Sequence, residues 1–217
     1  MKTTHCKLKK TTQGKLPEYF VLEVTARPAA DIWGIQAGTA ILFYCKIRLV
    51  VSRHLALKTD RIFEGCAESD GSCFGGQRKE KRGRGAAGKV AAFGILKRGG
   101  KVYTAVVDNA GKEILLPVIT KKIMQDSVVY TDSPGSYDVL DASGFRHHRI
   151  NHGKRFADRQ NHINGIGNFW NRAERVLRKY NGIDRKSFPS FLKECGFRFN
   201  FGTPEQQLEI LRLWCDI

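Results

Sequence analysis

Two aspartates and a basic, glycine-broken run are the residues of this chain whose types and spacing invite chemistry. Glu68, Asp70, Ser72 and Phe74 fall at period two, so on a strand both carboxylates share one face. From Arg78 to Lys89 the chain carries six basic residues, Arg78, Lys79, Lys81, Arg82, Arg84 and Lys89, against one acid, Glu80, with glycines between them. Carboxylates are the groups a divalent cation takes from protein. A cationic segment interrupted by glycine can bring its backbone close to phosphates. Asp132 closes the short apolar run Ser127–Asp132. Two acids on neighbouring strands would support two metal ions, the arrangement used in phosphodiester displacement.

The bulk charge points the same way. Lysine and arginine number 37 against 21 acids, a formal net charge of +16. That excess favours nucleic acid as the partner. No apolar run reaches membrane-spanning length, and the basic N-terminus lacks the apolar core of a signal peptide. A cytoplasmic protein with no membrane partner is the expectation. The six cysteines form no C-x-x-C pair, which argues against a zinc ribbon and for reduced, structural thiols. His147, His148, His152 and His162 match no common zinc spacing.

These groups need a frame. Residues 1–16 are polar and basic and read as a loose arm. Pro17-Glu18 suits a first helical turn, Thr25 a cap for a second helix stopped by Gly34, and a third helix would run from Gln36 to Val51. Short helix, glycine turn and longer helix give the outline of a helix-turn-helix, with three packed helices of no DNA role as the alternative. Ile62–Phe74 reads as a strand, and Lys89–Leu96 with Lys101–Val107 as a hairpin around Arg98-Gly99-Gly100. Lys112–Met124 reads as a helix broken or bent near Pro117. Ser127–Asp132 reads as a strand, Ser136–Ala142 as a helix and Phe145–Ile150 as a strand. Residues 161–180 are the clearest helix, with Ile163, Ile166, Trp170, Ala173, Leu177 and Tyr180 at helical steps. Helices over Lys186–Phe199 and Pro204–Cys215 follow, the last with Thr203 and Gln206 spaced as a capping box. The sum is an α/β domain with a mixed sheet and flanking helices, preceded by a small helical segment.

With these pieces in order, the chain resembles bacterial insertion-sequence transposases of the DDE type, the small ISXO-two-like group in particular. The motifs that carry the resemblance are FGGQRKEKRGRGAAGKVAAFGILKR (74–98), VYTD (129–132), HINGIGNFWN (162–171) and FLKECGFRFN (191–200). It implies an RNase H-like domain over 60–200, a helix-turn-helix-like DNA-binding segment over 1–58 and a C-terminal helix over 201–217. It implies cutting and joining of double-stranded DNA, at element ends and target, by a homo-oligomer with two Mg²⁺ or Mn²⁺ ions. Asp70 and Asp132 would be the metal-binding, catalytic acids. Arg78, Lys79, Lys81, Arg82, Arg84, Lys89 and His162 would contact DNA.

The third acid of that family ends the motif H-x-N-G-I-E, and here the position is Gly167. Asn164, one turn earlier, offers a neutral oxygen as an auxiliary catalytic ligand, and Glu68 is a further acid on the strand face. Glu174 stands where a lysine is usual, seven residues or about 10 Å along the axis from Gly167, too far to replace it. Gly71 replaces Glu, Cys73 replaces Tyr and Arg172 replaces Gln. Glu to Gly, Tyr to Cys, Gln to Arg and Lys to Glu are each one A-to-G change, the pattern of a decayed copy. The alternative to an active transposase is therefore a catalytically impaired remnant that binds DNA without cutting it.

Overall fold

Alternating side chains and a hairpin turned at Gly99 help build one mixed sheet. The computed structural model describes residues 8–57, 63–75, 89–109, 111–132, 144–150, 163–180 and 182–217. Strands β1 (Cys66–Phe74), β2 (Val90–Lys97), β3 (Val102–Val107), β4 (Val128–Asp132) and β5 (Arg146–Ile150) lie in the order β3-β2-β1-β4-β5. β1 pairs antiparallel with β2 and β2 with β3, whereas β1–β4 and β4–β5 are parallel. Two antiparallel hairpins followed by parallel strands, with helices on both faces, is the RNase H-like arrangement expected from the sequence.

The period of two sorts each strand between two cores. Ala67, Phe93, Ile95 and Val129 face Leu115 and Ile119 of helix α4 (Lys112–Lys122). Phe74, Ala92, Leu96 and Tyr130 face Ile166, Trp170 and Ala173 of helix α5 (Asn164–Leu177). The even-numbered residues of β1 and β4 therefore look toward α5.

A third core is helical. α1 (Lys10–Val21), α2 (Ala26–Ile32) and α3 (Ala37–Leu57) bury Leu16, Phe20, Ala29, Phe43, Tyr44 and Ile47 together with Phe197 of α6 (Phe188–Asn200) and Leu211 and Trp214 of α7 (Pro204–Cys215). α7 opens on the expected capping box, Thr203 Oγ1 accepting from the Gln206 amide at 3.4 Å and Gln206 Oε1 from the Thr203 amide at 3.0 Å.

Three expectations change. Residues 10–16 are not a loose arm: they form the first turns of α1, and Pro17 lies inside that helix. Burial of Thr12, Leu16, Pro17 and Phe20 on one side outweighs the hydrogen bond that Pro17 cannot donate. The first strand begins at Cys66, because Gly65 turns the chain at φ +88° and Phe63 makes only an isolated bridge to Ile123. α4 runs on through Pro117 to Lys122, with Thr120 Oγ1 bonding the Leu116 and Pro117 carbonyls. The helix expected over Ser136–Ala142 lies outside the described residues.

The outline of short α2, a turn at Gly34 and long α3 is present. The outward side of α3 carries Ile41, Leu42 and Leu49, and its central Arg48 is turned inward.

Candidate functional site

The parallel register sets the site. β1 and β4 pair from Cys66 with Val128 to Ser69 with Thr131, so Asp70 and Asp132 occupy the next position along both strands, with α-carbons about 5 Å apart. Asp70 pairs on its other side with Gly94 and Asp132 with Ile150. One row across the sheet thus reads Gly94–Asp70–Asp132–Ile150, in the middle of β1 and at the carboxyl end of β4. Both aspartates are half-buried and sit on the α5 side by alternation. Asp70 Oδ1 also accepts from the Gly71 amide at 2.7 Å.

The preceding row, Leu96–Glu68–Tyr130–His148, anchors the helix above. Glu68 is buried; its Oε2 accepts from the Ile166 amide at 2.9 Å, within the first turn of α5, and its Oε1 accepts from Arg98 Nε at 3.1 Å. A carboxylate there meets both an unpaired helical N–H and the positive end of the helix dipole. Arg98 lies 3.7 Å over the Tyr130 ring, and His148 stacks on the same ring at 5.4 Å. Sequence reasoning considered Glu68 only as a cation ligand; its observed partners are a helix end and an arginine. Nothing local foretold this, since both partners lie at least 30 residues away in the chain.

Two glycines let α5 settle onto the sheet. A Cβ at Gly94 would stand 2.8 Å from Trp170 and 2.9 Å from Ile166, and one at Gly165 would stand 2.5 Å from Leu96 and 2.9 Å from Glu68 Oε2. Gly167 is different. A Cβ there meets nothing within 4 Å among the described residues. With Ile166 and Trp170 facing the sheet and Phe169 packing on Phe199 of α6, residue 167 falls on the flank of α5 away from α6. Gly71 is similarly open, with only the Ala92 carbonyl at 3.7 Å.

Asn164 opens α5 and is exposed. Lys89 precedes β2 beside the carboxyl end of β1, four rows beyond Asp70, because Val90 pairs with Phe74 and Gly94 with Asp70. Arg78, Lys79, Lys81, Arg82, Arg84 and His162 lie outside the described residues. His147 Nε2 lies 2.8 Å from Thr131 Oγ1 on the far face of β4, a contact the histidine spacing did not suggest.

As a donor set, Asp70 and Asp132 suit one divalent cation, since Mg²⁺ takes one or two carboxylates and completes its shell with water and phosphate oxygens. They fall short of a two-ion set. Among the described residues no third His, Cys, Asp or Glu gathers with them, and the open flank of α5 ends in hydrogen at 167.

The strand order, with helices on both faces of the sheet, is that of an RNase H-like domain. Residues 62–200 match the model of the ISXO2-like transposase domain, more than half of the chain, and the chain belongs to that family. It is also similar to an uncharacterized transposase-like protein of Haemophilus influenzae, 54% identical over 112 residues that span 52% of this chain and 91% of that relative. Among the described residues no helix is long and apolar enough to cross a membrane.

Proposed function

We propose that the protein acts as a transposase at the ends of a mobile DNA element, cleaving double-stranded DNA in a cation-dependent step and joining it to a target. The observation that carries this reading is the parallel register of β1 and β4, which sets mid-strand Asp70 beside Asp132 at the end of β4. These two acids hold a divalent cation, Mg²⁺ or Mn²⁺, which when bound activates the attacking hydroxyl and stabilises the leaving oxygen. The remaining residues position. Glu68 fixes the start of α5 over β1. Arg78, Lys79, Lys81, Arg82, Arg84, Lys89 and His162 hold DNA phosphates, and Asn164 is an auxiliary ligand. The helical segment 1–58 binds DNA with the 60–200 domain, the C-terminal helix 201–217 follows that domain, and the protein works as a homo-oligomer.

Gly167 favours a second reading, in which the protein occupies element ends without cutting them. Neither Gly167 nor Gly71 is required by a close approach or a positive φ, so packing does not explain a glycine at either position, whereas Gly94 and Gly165 are explained by it. Loss of side chains by mutation accounts for both.

A linear duplex bearing an element end, incubated with Mg²⁺ or Mn²⁺, separates the readings. Cleavage that disappears in Asp132→Ala supports the enzyme. Salt-sensitive binding with no cleavage supports the second reading, and Gly167→Glu is then expected to restore cutting. A folded Gly167→Glu protein that stays inactive would show that the absent carboxylate is not the main defect.

A further inference from the structure

The outward side of α5 has a composition that helix stability does not explain. Asn164, Asn168, Asn171, Arg175 and Arg178 follow one another at steps of four and three residues, and all five are exposed. The opposite side, with Ile166, Trp170, Ala173 and Leu177, is buried against the sheet. Asparagine is a poor helix former, because its amide competes for the backbone, and an exposed position tolerates almost any better one. Three asparagines on one solvent face are therefore a standing cost with no packing return. The side chains of Asn168, Asn171 and Arg175 take no hydrogen bond among the described residues. The acid on this helix, Glu174, lies 3.4 Å from Arg178, so the face stays net positive. It belongs to the helix whose first turn is held by Glu68, two residues from Asp70 on β1.

An amide offers a donor and an acceptor together, which suits base edges and sugar oxygens, and a guanidinium suits phosphates. We propose that this face of α5 is a contact surface for duplex DNA, with Arg175 and Arg178 on phosphates and Asn168 and Asn171 on the sugar or base edges of the strand that passes the aspartate pair. The proposal rests on the DNA-directed reading above and adds to it a surface separate from the basic run at 78–89. Its charge and its place on the helix that Glu68 anchors choose DNA over a protein partner.

Fluorescence anisotropy with a labelled duplex from the DNA bordering the gene, and a scrambled duplex of equal length, tests it over a salt series. Arg175→Ala with Arg178→Ala is expected to weaken binding to both duplexes and to lower the magnitude of the salt slope by about 2. Asn168→Ala with Asn171→Ala is expected to raise Tm by about 2–4 °C while weakening binding to the bordering duplex about tenfold, the loss of roughly one hydrogen bond to DNA. A raised Tm with unchanged affinity, together with an unchanged salt slope in the arginine variant, would overturn the proposal and leave a merely solvated face. Wild-type protein that binds neither duplex at low salt would instead remove the DNA-directed reading, and the proposal with it.

Discussion

The carboxylate row of the sheet and the junction between α3 and α6 treat charge in opposite ways. At the junction, Glu194 is 1% exposed and receives Arg48 Nε at 2.6 Å on one oxygen and Arg198 Nη2 at 2.6 Å on the other. Arg198 also donates to the Phe20 and Val21 carbonyls at the end of α1, and Arg48 lies 3.9 Å over the Phe191 ring. Opposite charges meet there and the end of α1 is closed, with only the buried Arg48 Nη2 left without a hydrogen-bond partner among the described residues. At the carboxylate row, two like charges stand side by side on parallel strands. Like charges set side by side repel, which costs stability. The first arrangement, opposite charges joining α3 to α6, is explained by the fold; the second, two acids side by side, is the one the proposed function uses.

The largest test of this contrast is at the junction. Glu194→Ala leaves two buried arginines without their carboxylate and is expected to cost about 3–5 kcal/mol in urea unfolding. A cost below about 1 kcal/mol would mean that the triad does not hold α3 to α6. The two glycines of α5 come next and carry opposite signs. Gly165→Ala pushes a methyl into Leu96 and Glu68 and is expected to cost about 1–3 kcal/mol. Gly167→Ala fills open space on a helix and is expected to stabilise by about 0.5–1 kcal/mol. Thermal unfolding of the pair reads both, and shifts of the same sign would erase the distinction between a packing glycine and an unneeded one.

A pH-dependent effect sits one residue before Glu194. Burial, and then the like charge of Lys122, pull Lys193 down to about 8 from its ordinary 10.5, while its ammonium donates to the Thr104 carbonyl. Between those two values the unfolded chain binds more protons than the folded one, so stability rises as pH climbs through the window and is flat below it. Lys193→Met is expected to flatten the rise in a series of urea melts across that range. An unaltered rise would assign it to another group.

Much of the frame was legible in the residues. The amphipathic steps of 163–177, the hairpin around Gly99-Gly100, the capping box at Thr203 and the strand that stops on Asp132 are all local patterns, and local patterns survive tertiary packing when packing agrees with them. Pro17 and Pro117 misled because proline's cost is local, whereas the burial that overrides it comes from distant elements. The two aspartates were legible as candidates through their types and strand positions. Their adjacency was an inference from topology.

What the sequence by itself determined is therefore the inventory: two strand-borne aspartates, a glycine at the place of a third acid, a basic excess and an ordered set of helices and strands. The tertiary structure decided the relations among them. Only the parallel register of β1 with β4 sets Asp70 beside Asp132, and only the seat of α5 makes Glu68 a helix anchor and separates Gly165, which must be glycine, from Gly167, which need not be. Register and seating are fixed by contacts between residues tens of positions apart, whose energies depend on which surfaces meet, and no local pattern in the chain carries that information.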